Sequence, residues 1–227
     1  MFANLKSILR VSKSKRPKKI CVTGGYRTGS TFVFEQIVRA MEQQHSSDVT
    51  SVYCDYRELK AQVDMHERCV IKAHWAYPEL YDKFDWVVYT KRNIVDMLAS
   101  AIYKNLKKQG IDPDELRKLD KAVIDKTVTD FFPLPEEHYK AQLHIRRLME
   151  KCSTCGCFDN LIIFDYDQDM HDSDRFFEFL NKMGLVSDKV QFNVPTTDNQ
   201  TSSSFLKKGG NRFLVPDHYV AKLNEFR

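Results

Sequence analysis

Five short runs of apolar residues mark the chain, at Ile20–Thr23, Thr50–Tyr53, Cys69–Lys72, Trp86–Thr90 and Leu161–Phe164. Most are apolar at consecutive rather than alternate positions, the pattern of strands covered on both faces. Between them, apolar residues recur at three- and four-residue spacing over Ser30–Gln43, Asp55–Gln62, Tyr77–Lys83 and Ile94–Leu106, which predicts helices. The alternation of the two periods predicts an α/β fold: a three-layer sandwich with a central, mainly parallel sheet between helices. From Asp112 to about Lys151 the period stays helical, broken at Phe131-Phe132-Pro133-Leu134-Pro135. A helical insert at about 108–151, between two core strands, is expected to serve as a lid or an acceptor-binding element. A helix near Asp172–Met183 should end at Gly184, a polar loop should run from Val194 to Asn211, and a last helix should start after Pro216-Asp217.

The length, 227 residues, suits one sizeable domain, expected over 19–227. Ahead of it, residues 1–18 form a basic leader. Lys6, Arg10, Lys13, Lys15, Arg16, Lys18 and Lys19 are its charges with their immediate neighbour, and no acid occurs among residues 1–19. Without these seven residues the net charge of +4 becomes an excess of acids, 31 against 28 basic residues. The leader reads as a solvated arm, or as one that touches a membrane surface or nucleic acid. No basic surface interleaved with aromatics follows it, so nucleic acid is not an expected partner. No apolar run approaches the ~20 residues of a membrane span. Charges at Lys6 and Arg10 interrupt any secretory apolar region. The expectation is a cytoplasmic protein with reduced cysteines. Cys152, Cys155 and Cys157 have a spacing that zinc can use, but no fourth ligand follows at familiar distance, and a plain turn before a strand is expected instead.

Three of the predicted strand ends carry unusual polar residues. The first strand runs into Gly24-Gly25-Tyr26-Arg27-Thr28-Gly29-Ser30-Thr31-Phe32. The spacing is that of a P-loop-like phosphate-binding loop, G-x-x-x-x-G-K-[ST], with Ser30 in place of the lysine and a cation, Arg27, two residues before Gly29. Such a loop can still offer backbone N–H groups and a helix N-terminus to an anion. The third strand leads into Lys72-Ala73-His74, whose alternate residues face one side of an extended chain. The fourth ends in Lys91-Arg92-Asn93, with Ser100 two helical turns on, on roughly the side of Arg92. In an open α/β sheet, ligands bind beyond the C-terminal strand ends.

Together these segments resemble the sulfotransferases that use 3′-phosphoadenosine 5′-phosphosulfate. Arg27-Thr28-Gly29-Ser30-Thr31-Phe32 is similar to that family's [KR]-[ST]-G-[ST]-[ST]-[FWL] loop, Lys72-Ala73-His74 to its K-x-H, and Arg92 through Ser100 to its R-N-x-x-D-x-x-x-S. The resemblance covers about residues 19–105 well and 160–215 loosely. It implies that Arg27 and the backbone of Thr28, Gly29, Ser30 and Thr31, with Phe32 closing the loop motif, hold the 5′-phosphosulfate. It makes His74 the general base, sets Lys72 against the sulfuryl oxygens, and gives the 3′-phosphate to Arg92 and Ser100. More loosely it places Tyr166, Ser204 and Phe205 near the adenine and Lys207-Lys208-Gly209 as a 3′-phosphate clamp, although the last two segments almost touch here where the family separates them. The implied product nucleotide is 3′-phosphoadenosine 5′-phosphate, and no metal is required.

Two other readings stay open. An ATP-dependent small-molecule kinase of the P-loop class would need Mg²⁺, and Ser30 in the lysine position and the Arg92…Ser100 pair speak against it. A non-catalytic nucleotide-binding protein would have no use for His74. The only carboxylate in a Walker-B-like place is Asp165. The acceptor is expected to be a small soluble alcohol, phenol or amine. Eight acids lie in 112–137 (Asp112, Asp114, Glu115, Asp120, Asp125, Asp130, Glu136 and Glu137), against four basic residues. They are either a solvated helix face or the lining of a site for a cationic acceptor, with Phe131 and Phe132 either core residues or an aromatic wall.

Overall fold

The computed structural model describes residues 17–45, 48–74, 77–170, 172–187 and 210–226. Five strands, β1 (Lys19–Gly24), β2 (Thr50–Cys54), β3 (Cys69–His74), β4 (Trp86–Lys91) and β5 (Leu161–Asp165), form one sheet in the order β2-β3-β1-β4-β5. Every pairing is parallel. The α/β sandwich read from the apolar pattern is thus what forms, with the sheet parallel throughout among the described residues.

Alternate residues of each strand feed opposite faces of the sheet. Ile20, Val22, Val70, Val88, Ile162 and Phe164 meet α1 (Ser30–His45) and α8 (Ser173–Lys182) on one face. Cys21, Ile71, Val87, Tyr89 and Leu161 meet α2 (Tyr56–Met65), the 3₁₀ turn Pro78–Lys83 and α6 (Glu136–Cys155) on the other. Burial on both sides is the reason the runs are apolar at consecutive positions. β2 and β5 are the edge strands, and the burial of β2 alternates between half-buried and exposed residues.

The helical segment builds a core of its own. Leu98, Ile102 and Leu106 of α3 (Ile94–Lys108) pack with Leu116 of α4 (Pro113–Leu116), Ile124 and Val128 of α5 (Lys121–Phe131), Leu143 of α6 and Leu223 of α9 (Asp217–Glu225). A short helix, α7 (Tyr166–Asp169), follows β5. Arg212, in the 3₁₀ turn Arg212–Leu214, ties the C-terminal segment to α3 by two bonds to the buried Asp96, at 2.6 and 2.7 Å. Phe132 packs at the margin of this core, while Phe131 is exposed.

At the C-terminal end of α6, Cys155 and Cys157 are joined in a disulfide, where a plain turn with reduced thiols was expected. Cys152 remains free, and no group of residues suited to a metal ion occurs among the described residues. No helix there is long and apolar enough to cross a membrane. Of the basic leader, residues 1–16 lie outside the described residues. Lys18 already belongs to the body, since its N–H and that of Lys19 both donate to Asp85.

Leu98 is fully buried at the centre of the helical core. Leu98→Ala should cost about 2–5 kcal/mol of unfolding free energy in a denaturant titration. A loss below ~1 kcal/mol would mean that this core closes over the gap without penalty.

Candidate functional site

Strand register sets the site. In the sheet Gly24 stands level with His74 of β3 on one side and with Thr90 of β4 on the other. Beyond these ends lies a cleft of about 940 Å³. Gly24 is held so close to β4 that a Cβ would collide with the Thr90 side chain, and its φ of 147° suits glycine alone. The chain then turns into α1, with Arg27 in the left-handed region at φ 66°. Such a conformation is uncommon for a residue with a side chain. Gly29, at φ 85°, lies under the Tyr166 ring, where a Cβ would overlap the ring carbons.

Of the residues singled out in the sequence, Arg27, Gly29, Ser30, Thr31, Phe32, Lys72, His74, Arg92, Ser100 and Tyr166 all line this one cleft. Thr28 is the exception. Its hydroxyl is buried, donates to the Gly25 carbonyl at 2.8 Å and pairs with Thr90 at 2.7 Å, so its side chain braces the loop from inside. Ser204, Phe205, Lys207, Lys208 and Gly209 lie outside the described residues.

Each cation in the cleft has a defined hold. Lys72 donates to the Thr31 hydroxyl at 2.7 Å and lies 4.8 Å from the centre of the Tyr53 ring. Burial pulls its pKa down, Arg27 and Lys104 add to the fall, and Glu35 opposes it. Arg27 donates from Nε to the Ser100 hydroxyl at 2.9 Å. Burial and the charge of Arg92 lower its pKa, yet a guanidinium stays ionised. Arg92 lies 4.8 Å from the centre of the Tyr166 ring and reaches back to the Arg27 carbonyl at 3.5 Å. Asp167 flanks it at 3.6 Å. Asn93 explains why a helix starts here: its side chain accepts from the Val95 N–H at 2.9 Å and caps α3.

His74 is half-buried, with Nδ1 buried and lacking a hydrogen-bond partner among the described residues. Burial first, and the Lys72 charge second, hold its pKa below the ordinary histidine value. Tyr26 stacks on it with ring centres 4.2 Å apart, and His138 of α6 lies tilted beyond Tyr26 at 5.4 Å. Neither partner was singled out from the sequence. Tyr26 sits inside the phosphate-loop motif at a position the motif leaves open, and His138 is brought in only by the docking of α6.

Asp165 does not line this cleft. It forms an ion pair with Lys91 at 3.3 Å, caps α7 through the Asp167 N–H, and lines a different cavity of about 500 Å³. The acids of 112–137 do not line the cleft either. Asp112 caps α4, Asp114 accepts from the Tyr103 hydroxyl, and Glu115, Asp125, Asp130 and Glu137 pair with lysines of their own helices or turns. The expectation that they favour a cationic acceptor therefore loses its footing. Of residues 108–151 only Lys108 is among the lining of the cleft, while α6 reaches its margin, where His138 lies beside Tyr26.

No protein-family profile matches the chain, and no curated protein does. Among solved structures, the crystal structure of mouse sulfotransferase SULT7A1 complexed with PAP shares the fold. Its TM-score is 0.53 at 10% sequence identity, covering 94% of this chain and 83% of that one.

The His74 imidazole should titrate below pH 6.5 when followed by NMR. Removing the like charge in Lys72→Met should move the midpoint upward. A midpoint at or above 6.5 in the wild type, or one indifferent to Lys72, would contradict the arrangement.

Proposed function

We propose that this protein is a sulfotransferase, which moves a sulfuryl group from 3′-phosphoadenosine 5′-phosphosulfate to a hydroxyl or amine of a small-molecule acceptor. The observation that carries this reading is convergence. Three segments far apart in sequence bring a phosphate-type loop, a Lys–His pair and an Arg–Ser pair into one cleft. The fold is shared with a protein solved in complex with PAP, which supports the same nucleotide class. The cleft also fits an anionic donor. It gathers Arg27, Lys72 and Arg92 beside the loop that opens α1.

In this reading the 5′ end of the donor lies against the loop from Arg27 to Thr31, and the 3′-phosphate against Arg92 and Ser100. Arg27 and Ser100 are bonded to each other in the structure, so binding would exchange that bond for contacts with the phosphates. Tyr166, packed over Gly29 and Arg92, would border the nucleotide. Lys207, Lys208 and Gly209 as a 3′-phosphate clamp, with Ser204 and Phe205 near the adenine, remain part of the same reading, although they lie outside the described residues.

His74 takes the proton of the acceptor through Nε2, because Nδ1 is buried. The freed electron pair of the acceptor oxygen or nitrogen forms the bond to sulfur. The bond from sulfur to the bridging oxygen breaks, and its electrons leave on the 5′-phosphate of the product nucleotide. Lys72 and Arg27 offset the charge that grows on the bridging and sulfuryl oxygens, the kind of preorganised stabilisation that dominates many such reactions. A lowered imidazole pKa keeps His74 neutral, and so able to accept a proton, at pH 7. No metal takes part in this scheme. A kinase is the poorer reading because Ser30 stands where the phosphate-binding lysine would be.

His74→Ala should lower transfer about 10²–10⁴-fold while leaving the affinity for 3′-phosphoadenosine 5′-phosphate unchanged, as read by radiolabelled sulfuryl transfer and calorimetric titration. Undiminished transfer by this variant would remove His74 from the role of base.

A further inference from the structure

The face of α3 that begins at Ser100 continues along the cleft as Lys104, Lys107 and Lys108. Spacings of four, seven and eight residues put these side chains on one side of a helix. Elsewhere on the helical segment, lysines are neutralised locally: Lys118 by Glu115, Lys121 by Asp125, Lys126 by Asp130 and Lys140 by Glu137. Lys104, Lys107 and Lys108 have no acid within ion-pair distance among the described residues. Lys107 lies instead 4.9 Å from the centre of the Tyr103 ring. The nearest acids are engaged, Asp112 as a helix cap and Asp114 with the Tyr103 hydroxyl. Among the described residues, Glu35 is the one acid lining the cleft.

We propose that the acceptor is an anion, a molecule that presents a carboxylate, sulfate or phosphate to Lys104, Lys107 and Lys108 while its hydroxyl or amine faces His74. The inference rests on the sulfotransferase reading and names its second substrate class. Helix geometry separates these lysines from the donor. At 1.5 Å per residue, Lys107 and Lys108 lie about 10–12 Å along the axis from Ser100, too far to share a phosphate group with it. Space allows a second ligand, since about 940 Å³ stands at the upper end of volumes for single-ligand sites. Lys104 also lies near enough to Lys72 to depress its pKa, so the lysine row reaches the reacting end of the cleft. Tyr103, Asp112 and Asp114 offset part of the charge of Lys107, and an anionic acceptor would offset the remainder of the field of the three exposed amines.

The test uses the full chain saturated with 3′-phosphoadenosine 5′-phosphate and titrated with two matched probes. One is a glucuronate-containing oligosaccharide, the other the same oligosaccharide with its carboxyls reduced to alcohols. The carboxylate form should bind about tenfold or more tightly than the reduced form, from up to three exposed charge contacts. Lys107→Gln/Lys108→Gln, which spares Lys104 near the donor end, should cut that preference at least threefold and leave nucleotide affinity and the melting temperature unchanged. Equal binding of the two probes, or binding of neither, overturns the proposal. So does a variant that loses nucleotide affinity, because the lysines would then serve the donor. If the wild-type chain fails to bind the nucleotide at all, the sulfotransferase reading itself is what fails.

Discussion

Everything in the cleft depends on the pairing of β1 between β3 and β4. The parallel ladders hold Gly24 level with His74 and with Thr90, and both faces of these strands are buried. A one-residue slip would turn each side chain to the other face of the sheet. It would also move Lys72 and His74 out of the cleft and set inward residues against water. The cost of such a slip is therefore shared by the core, and the site inherits its precision from hydrophobic packing rather than from its own polar contacts.

Upon that frame the loop after β1 is fastened from within. Thr28 and Thr90 bond to each other, and each also reaches a backbone carbonyl of the same region. Gly24 and Gly29 allow β4 and Tyr166 to close on the loop. Arg27, at a positive φ, points its guanidinium to Ser100. Backbone strain of this kind persists only where the surroundings over-determine it. Cations held at such short range repel one another: burial first, and neighbouring positive charge after it, lower the pKa of Arg27, Lys72 and His74. An anion entering the cleft would relieve that repulsion.

Much of the fold was legible in the chain because strands buried on both faces leave a blunt signal. All five runs became strands, lengthened by one or two residues. β3 continues to His74 rather than stopping at Lys72, since backbone pairing with Gly24 does not require apolar side chains. The candidate site residues were readable through their motifs, and ten of them, eight polar with Gly29 and Phe32, share the cleft. Spacing says nothing of the direction of a side chain inside a turn: Thr28, expected to offer its backbone to the ligand, turns its hydroxyl inward to Gly25 and Thr90. Helical periodicity shows that the 108–151 segment buries a face but not against what. Its partners are α3 and α9 and, through Met149 of α6, the sheet, with His138 brought beside Tyr26. Tyr26 on His74, and the lysine row beyond Ser100, arise from tertiary placement and have no local signature.

The central claim is that this cleft binds a nucleotide bearing phosphates at both its 3′ and 5′ positions. Thermal unfolding tests it most directly, in the presence of 3′-phosphoadenosine 5′-phosphate, adenosine 5′-phosphate, or ATP with Mg²⁺. At ~100 times its dissociation constant the bisphosphate should add about 2.7 kcal/mol, or roughly 5–11 °C for a chain of this size. Adenosine 5′-phosphate at the same concentration should give a much smaller shift, because Arg92 and Ser100 would have no 3′-phosphate to hold. A shift given by ATP with Mg²⁺ and not by the bisphosphate would contradict the account and make the loop that of a kinase.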